Sequence, residues 1–183
     1  VYEELGVRHI INARGNATLV GGSTLSPTVT AAMEEANEYY VEMEDLLERS
    51  GKAVAKLLDA EAALITSGCF AALVLGAAAI MAGKDPHMVA QLPDTTGMKK
   101  EFLIQKRMRY QYDRCVSIPG GKLVEVGTQE GTTREQLEHA ISPATAGILY
   151  LARSEGEPGL LLIPEVVSIA KKTSVAVLVD AAG

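Results

Sequence analysis

The sequence predicts an α/β protein, with a mainly parallel sheet between two layers of helices. Short apolar runs alternate with segments of helical periodicity, and that order requires crossover connections between parallel strands. The run 175–179 is continuously apolar, as expected for a strand buried on both faces. Hydrophobic residues make up 48% of the 183 residues, which excludes a disordered chain.

Helices are predicted from capping residues and apolar spacing. Ser26 and Pro27 open a helix that runs to about Asn37. A second helix covers 43–58, and a buried one covers 69–82 and ends at Gly83. The remaining expected helices are 110–116, 133–141 and 163–172.

Five short strands are predicted between these helices, and residues 1–25 are expected to form an irregular arm. The strands are 62–66, 101–105, 122–126, 147–151 and 175–179.

Composition limits the function. The net charge of −6 argues against a nucleic-acid surface over the whole domain, because phosphate binding needs clustered Lys and Arg. Cys69 and Cys115 have neither metal nor disulfide spacing, and the three histidines have no metal partners. No signal peptide is recognisable, and the longest apolar stretch is shorter than the about 20 residues of a membrane span. We therefore expect a cytoplasmic protein without a metal.

Two places where a predicted strand ends carry candidate chemistry. At Ser67-Gly68-Cys69 a strand turns into a helix, so free backbone N–H groups and the helix dipole form an anion site. The alternative is an ordinary strand-to-helix turn. Asp180 ends the last strand, where ligands of open α/β sheets bind, and a buried carboxylate there needs a cation. Its alternative role is to cap a following helix.

Charged and aromatic side chains follow the predicted strand 101–105. A solvated basic segment is the plain interpretation of most of them. Arg109 and Tyr112 are the two expected to point inward, where they could hold an anionic substrate or cover a cofactor ring. Arg14 lies in an apolar, glycine-containing arm and can grip a carboxylate with its fork, although an exposed loop arginine is the commoner case.

Together these motifs resemble the fold-type I pyridoxal-phosphate enzymes. The narrower resemblance is to the group that includes bacterial selenocysteine synthase (L-seryl-tRNA selenium transferase) and D-glucosaminate-6-phosphate ammonia-lyase. It covers nearly the whole chain and is carried by the segments Ile11-Asn12-Ala13-Arg14-Gly15-Asn16, 61–83, 92–98, 112–114 with 121–127, and Val179-Asp180-Ala181-Ala182.

The resemblance implies a role for each candidate residue. Ser67, Gly68 and Cys69 would hold the phosphate of pyridoxal 5'-phosphate, and Asp180 would pair with its protonated pyridine nitrogen. Relatives often have a histidine before the arginine of the post-strand segment. Met108 stands there in this chain, and its sulfur can contact the cofactor ring.

The resemblance also implies an architecture like the large domain of aspartate aminotransferase. Residues 1–50 would be an arm with helices at a dimer interface, and 51–183 the first part of the cofactor-binding domain. The Schiff-base lysine of relatives follows the aspartate by some tens of residues. No lysine follows Asp180 here, so we expect that lysine, and the small domain, outside this truncated chain.

The function expected on this basis is a pyridoxal-phosphate-dependent lyase, active as a homodimer or larger assembly. It would eliminate ammonia or water from an anionic or phosphorylated amino acid or amino-sugar acid. One alternative is selenium transfer to seryl-tRNA. The net negative charge and the lack of a basic RNA-binding segment disfavour it. The other is a non-catalytic fragment that lacks the Schiff-base lysine.

Overall fold

The structure is a computed structural model in which residues 1–182 are described. The chain forms two compact units, Val1–Arg49 and Ser50–Ala182. The first unit begins with an irregular arm that contains a single turn of 3-10 helix at Thr18–Val20. Helix α1 (Pro27–Ala36) follows, and the hydroxyl of Ser26 caps it by accepting a hydrogen bond of 3.3 Å from the N–H of Val29. None of residues 1–49 is buried.

A four-stranded parallel sheet forms the centre of the second unit. Its strands are β1 (Glu101–Gln105), β2 (Lys122–Val126), β3 (Thr145–Leu151) and β4 (Ala176–Asp180), in the spatial order β2-β1-β3-β4. All three strand pairs are parallel. The predicted α/β class with a parallel sheet is confirmed.

Helices cover this sheet. Helix α2 (Met43–Leu58) precedes α3 (Cys69–Ala82), which packs on β3 and β4, and α4 (Pro86–Gln91) packs on α3. Helix α5 (Arg134–Ala140) packs on β2, and α6 (Ile163–Thr173) packs on β4. The crossovers through α5 and α6 run in the same direction across the sheet. The right-handed rule therefore assigns them to one face and the β1–β2 connection, which α3 contacts, to the other.

The core of the second unit is built from the apolar strands and from the helix faces that meet them. Phe102, Leu103 and Ile104 of β1 are fully buried, as are Val166 and Ile169 of α6. Helix α3 lies so close to β4 that a Cβ on Gly76 would stand 2.9 Å from Cδ1 of Leu178. A glycine at that position lets the middle of α3 approach the middle of β4 closely.

The predicted strand at residues 62–66 is wrong. The segment joins no strand ladder within residues 1–182, and Leu64 and Ile65 are 60% and 50% exposed. Its backbone packs against α2 instead, where a Cβ on Gly51 would lie 2.4 Å from the carbonyl oxygen of Ala63. An apolar run becomes a strand only where a neighbouring strand supplies hydrogen bonds, and composition does not reveal that neighbour.

The predicted helix at residues 110–116 is also wrong, because only Asp113–Cys115 forms a turn of 3-10 helix. The carboxylate of Asp113 accepts the N–H of Tyr110 at 3.1 Å, and the N–H of Gly121 returns to the carbonyl of Val116 at 3.0 Å. The segment therefore turns back after a single turn. Helix α4 was not predicted, although Asp85 caps it and Pro86 opens it.

Two negative findings concern the described part of the chain. None of its helices has the length and apolar character that crossing a membrane requires. Within residues 1–182, no group of three or more His, Cys, Asp or Glu side chains could hold a metal ion.

Candidate functional site

The candidate site lies at the carboxyl edge of the sheet, where the strands end together. Asp180, the last residue of β4, stands in register with Leu151 at the end of β3. Gln105, the last residue of β1, stands in register with Val126 at the end of β2. The segment after β1 and the start of α3 complete this edge, since α3 contacts both β4 and the turn at Asp113–Cys115.

Asp180 is a buried carboxylate with three hydrogen-bond donors, and it is only 4% exposed. Its Oδ1 accepts the N–H of Ala182 at 3.0 Å and lies 3.5 Å from the sulfur of Cys69. Its Oδ2 accepts the phenol of Tyr110. Among residues 1–182 no Lys, Arg or His forms a salt bridge with Asp180, so neutral donors alone surround this negative charge.

The turn before α3 has the shape of an anion cradle. Gly68 occupies the N-cap with a φ of 143°, and no side chain caps the helix there. A Cβ built on Gly68 would meet nothing within 4 Å, so the space beside the N-cap is open. The hydroxyl of Thr66 donates to the carbonyl of Gly68 at 2.9 Å and holds the turn, while Ser67 is exposed. Free N–H groups at a helix start attract anions.

The structure brings these two predicted places together. Cys69 follows Gly68 as the first residue of α3, and its thiol is the group that lies beside Asp180. Partial burial, followed by the nearby Asp180, raises the pKa of the Cys69 thiol. The thiol therefore remains mostly protonated near neutral pH and acts there as a weak hydrogen-bond donor.

Tyr110 is a site residue that the sequence analysis missed. It lies in the segment after β1, is half-buried, and donates its hydroxyl to Asp180. Burial first, and then the hydrogen bond to Asp180, raise its pKa well above the ordinary value for tyrosine. Its phenol thus stays protonated and available as a donor. The only sequence signal was its position among charged residues just after a strand.

Arg109, predicted to point inward, is held by two carboxylates of its own unit. It pairs with Asp113 and with Glu125 of β2. The hydrogen bond to Asp113 is the main reason why the pKa of Arg109 is raised. Its predicted contact with a substrate stays a prediction, and any such contact would compete with these two partners.

An aromatic and cationic cluster lies beside the cradle. The guanidinium of Arg114 stands 6.0 Å from the ring centroid of Phe70, in the first turn of α3. The ring of Tyr112 makes an edge contact with Phe70 at 6.1 Å, and Tyr112 is 39% exposed. No carboxylate within residues 1–182 forms a salt bridge with Arg114. Arg114 is thus a cation beside Phe70 that is open to an incoming anion.

Met108 and Arg14 lie in very different surroundings. Met108 is fully buried in the core, and the amide of Gln105 lies 3.6 Å from its sulfur. A fully buried sulfur is not accessible to a ligand in this structure. The contact of Met108 with a cofactor ring therefore finds no support here and stays a prediction. Arg14 is exposed in the first unit, where its backbone N–H donates to the side chain of Asn12 at 2.9 Å.

The donor set at this edge fits pyridoxal phosphate. A pyridine nitrogen that carries a proton would supply the positive partner that Asp180 lacks among residues 1–182. The open turn at Gly68, one residue from the thiol that touches Asp180, offers backbone N–H groups to a phosphate. One ligand with a cationic ring and an anionic end can therefore meet both places.

Comparison with known proteins gives close relatives. D-glucosaminate-6-phosphate ammonia lyase of Salmonella typhimurium is 34% identical over all of this chain and 51% of its own length. A 5'-C-glycyluridine monooxygenase-decarboxylase of a Streptomyces species is 33% identical over all of this chain and 47% of its own. L-seryl-tRNA(Sec) selenium transferase of Moorella thermoacetica is 27% identical over 98% of this chain and 40% of its own.

Comparison with solved structures finds one of the same relatives. A solved structure of D-glucosaminate-6-phosphate ammonia-lyase superposes with a TM-score of 0.93 at 34% identity, over 99% of this chain and 50% of that one. No protein-family profile matches the chain. The chain spans about half the length of the curated relatives it matches.

Proposed function

Since this chain is a relative of the selenocysteine synthase-like group, as its sequence predicted, we propose that the whole protein is a pyridoxal-phosphate-dependent lyase. The proposed reaction eliminates ammonia or water from a phosphorylated or otherwise anionic amino-sugar acid. The observation that carries the proposal is the buried Asp180, 3.5 Å from the thiol that opens α3 and without a salt-bridge partner in residues 1–182.

Each residue of this site has a separate role in the proposed binding of the cofactor. Asp180 holds a proton on the ring nitrogen, while Ser67, Gly68 and Cys69 bind the phosphate through the start of α3. When bound, pyridoxal phosphate supplies an electron sink for negative charge that develops at the substrate's Cα. The lysine that completes such a site is proposed to lie outside residues 1–183.

The substrate's anionic group is proposed to contact Arg114, with Arg109, Tyr112 and Arg14 as the further candidates. Arg114 is favoured because its guanidinium rests on Phe70 beside the cradle, whereas Arg109 is already paired with Asp113 and Glu125. An arginine fork matches the geometry of phosphate and carboxylate oxygens.

A homodimer or larger assembly is proposed from the first unit. None of residues 1–49 is buried, and several large apolar side chains are almost fully exposed, among them Ile11 at 98% and Leu19 at 89%. Such surface is costly to leave in water, and a second copy is the proposed cover. A cytoplasmic location is proposed for the assembly.

The test uses the whole protein with added pyridoxal phosphate. We expect a visible absorbance band on binding, and release of ammonia from D-glucosaminate 6-phosphate. A protein that stays colourless would overturn the cofactor proposal. A coloured protein that releases no ammonia, yet uses seryl-tRNA with a selenium donor, would favour the alternative transferase. Glu138→Gln on the exposed surface of α5 is the control variant, for which we expect unchanged colour and turnover.

A further inference from the structure

A continuous line of polar contacts crosses the carboxyl edge of the sheet from β2 to β4. Glu125 of β2 pairs with Arg109, and Arg109 pairs with Asp113. Asp113 accepts the backbone N–H of Tyr110 at 3.1 Å, and the phenol of Tyr110 donates to Asp180. The line therefore links the two outer strands of the sheet and ends on the buried carboxylate.

Asp113 is the buried member of this line that contacts both Arg109 and Tyr110. It is 5% exposed, so its charge is out of contact with most of the solvent, and Arg109 compensates it. The same carboxylate oxygen that pairs with Arg109 also accepts the N–H of Tyr110. This arrangement fixes the backbone from which the Tyr110 ring projects, in a segment that has no regular helix to hold it.

The acceptor sites of Asp180 show what the Tyr110 contact does. An ionised carboxylate offers about four acceptor positions. The backbone N–H of Ala182, the thiol of Cys69 and the phenol of Tyr110 use three of them. These donors lie on both oxygens, so they fix the plane of the carboxylate and leave one direction for a further donor.

We propose that Tyr110 is a positioning residue, which orients the Asp180 carboxylate so that its remaining acceptor direction meets the ring nitrogen of the cofactor. Asp113, with Arg109, holds Tyr110 in place for this role. The inference rests on the proposed function, since it needs a cofactor ring at Asp180. It assigns to Tyr110 no contact with substrate and no proton transfer of its own.

The test compares Tyr110→Phe with Tyr150→Phe in the whole protein loaded with pyridoxal phosphate. Both changes remove a phenol hydroxyl that donates to a carboxylate, but Tyr110 bonds to Asp180, whereas Tyr150 bonds to Glu155. We expect about tenfold weaker cofactor binding in Tyr110→Phe, as for the loss of a hydrogen bond to a charged group, and near wild-type affinity in Tyr150→Phe. At saturating cofactor, we also expect Tyr110→Phe to lose visible circular dichroism, which reports how firmly the ring is oriented.

The outcomes separate this inference from the function on which it rests. If the wild type binds no cofactor, the proposed function fails, and the inference falls with it. If the wild type binds cofactor and Tyr110→Phe keeps the wild-type affinity and dichroism, the inference alone is overturned. Should Tyr110→Phe fail to fold, Asp113→Asn is compared with Glu138→Gln by the same two measurements. A smaller change in the same direction is then expected, and no change refutes the inference.

Discussion

The sulfur of Cys69 lies 3.5 Å from Oδ1 of Asp180, so the first residue of α3 meets the last residue of β4. The two residues are far apart in the sequence. Their contact joins an open helix start, which attracts anions, to a buried carboxylate, which requires a positive partner. The site therefore favours an anionic group at the start of α3 and a cationic group at Asp180. A ligand that carries both groups would bind in one orientation.

The first prediction concerns the charge of Asp180. Asp180→Asn keeps the shape of the side chain but removes the negative charge that would hold a protonated ring nitrogen. Loss of a hydrogen bond to a charged group costs about 1.5–3 kcal/mol, so we expect about 10- to 100-fold weaker binding of pyridoxal phosphate. Equilibrium titration of the visible band measures it. Unchanged affinity in the folded variant would remove Asp180 from the site.

The second prediction concerns Arg114 in the segment after β1. Arg114→Gln removes the cation that rests on Phe70, and we expect KM for the phosphorylated substrate to rise about tenfold while kcat changes less. Arg134→Gln on the exposed face of α5 is the matched control and should leave both constants unchanged. A fall in kcat with constant KM would mean that Arg114 does not bind the ground-state anion.

The third prediction uses the two thiols. Cys69 is exposed and Cys115 is buried, and burial raises the pKa of Cys115 to about 11. Because the thiolate is the reactive form and the pKa of Cys69 is raised, we expect iodoacetamide to modify Cys69 alone in the folded protein, slowly at neutral pH and faster at alkaline pH. Peptide mass spectrometry reads out the sites. Bound cofactor should protect Cys69, and rapid labelling of Cys115 would contradict its burial.

The fourth prediction concerns stability at a close approach of two loops. Gly120 and Gly97 both have a left-handed φ, of 95° and 81°. A Cβ on Gly120 would lie 2.0 Å from the carbonyl oxygen of Pro93, whereas one on Gly97 would meet nothing within 4 Å. Each Gly→Ala change carries a backbone cost of about 1–2 kcal/mol, and the clash adds about 1–3 kcal/mol only at Gly120. Denaturant unfolding should show that difference, and equal losses would exclude the clash.

Local signals in the sequence determined most of the fold. The start of α1 at Pro27 after Ser26, the whole of α3 and the strands 101–105 and 122–126 were predicted with their observed bounds. The bounds of these elements are determined by capping residues and by apolar spacing, which act over a few neighbouring residues. The parallel sheet followed from their alternation along the chain.

The tertiary structure decided what depends on residues far apart in the chain. Only the folded sheet shows that residues 62–66 have no strand partner within residues 1–182, and that Tyr110, rather than Arg109, reaches Asp180. The sequence could place both side chains after one strand, but the 3-10 turn at Lys106–Met108 sets the direction in which each of them projects. Local propensity fixes where an element begins and ends, whereas partners across the sheet are chosen by packing over the whole chain.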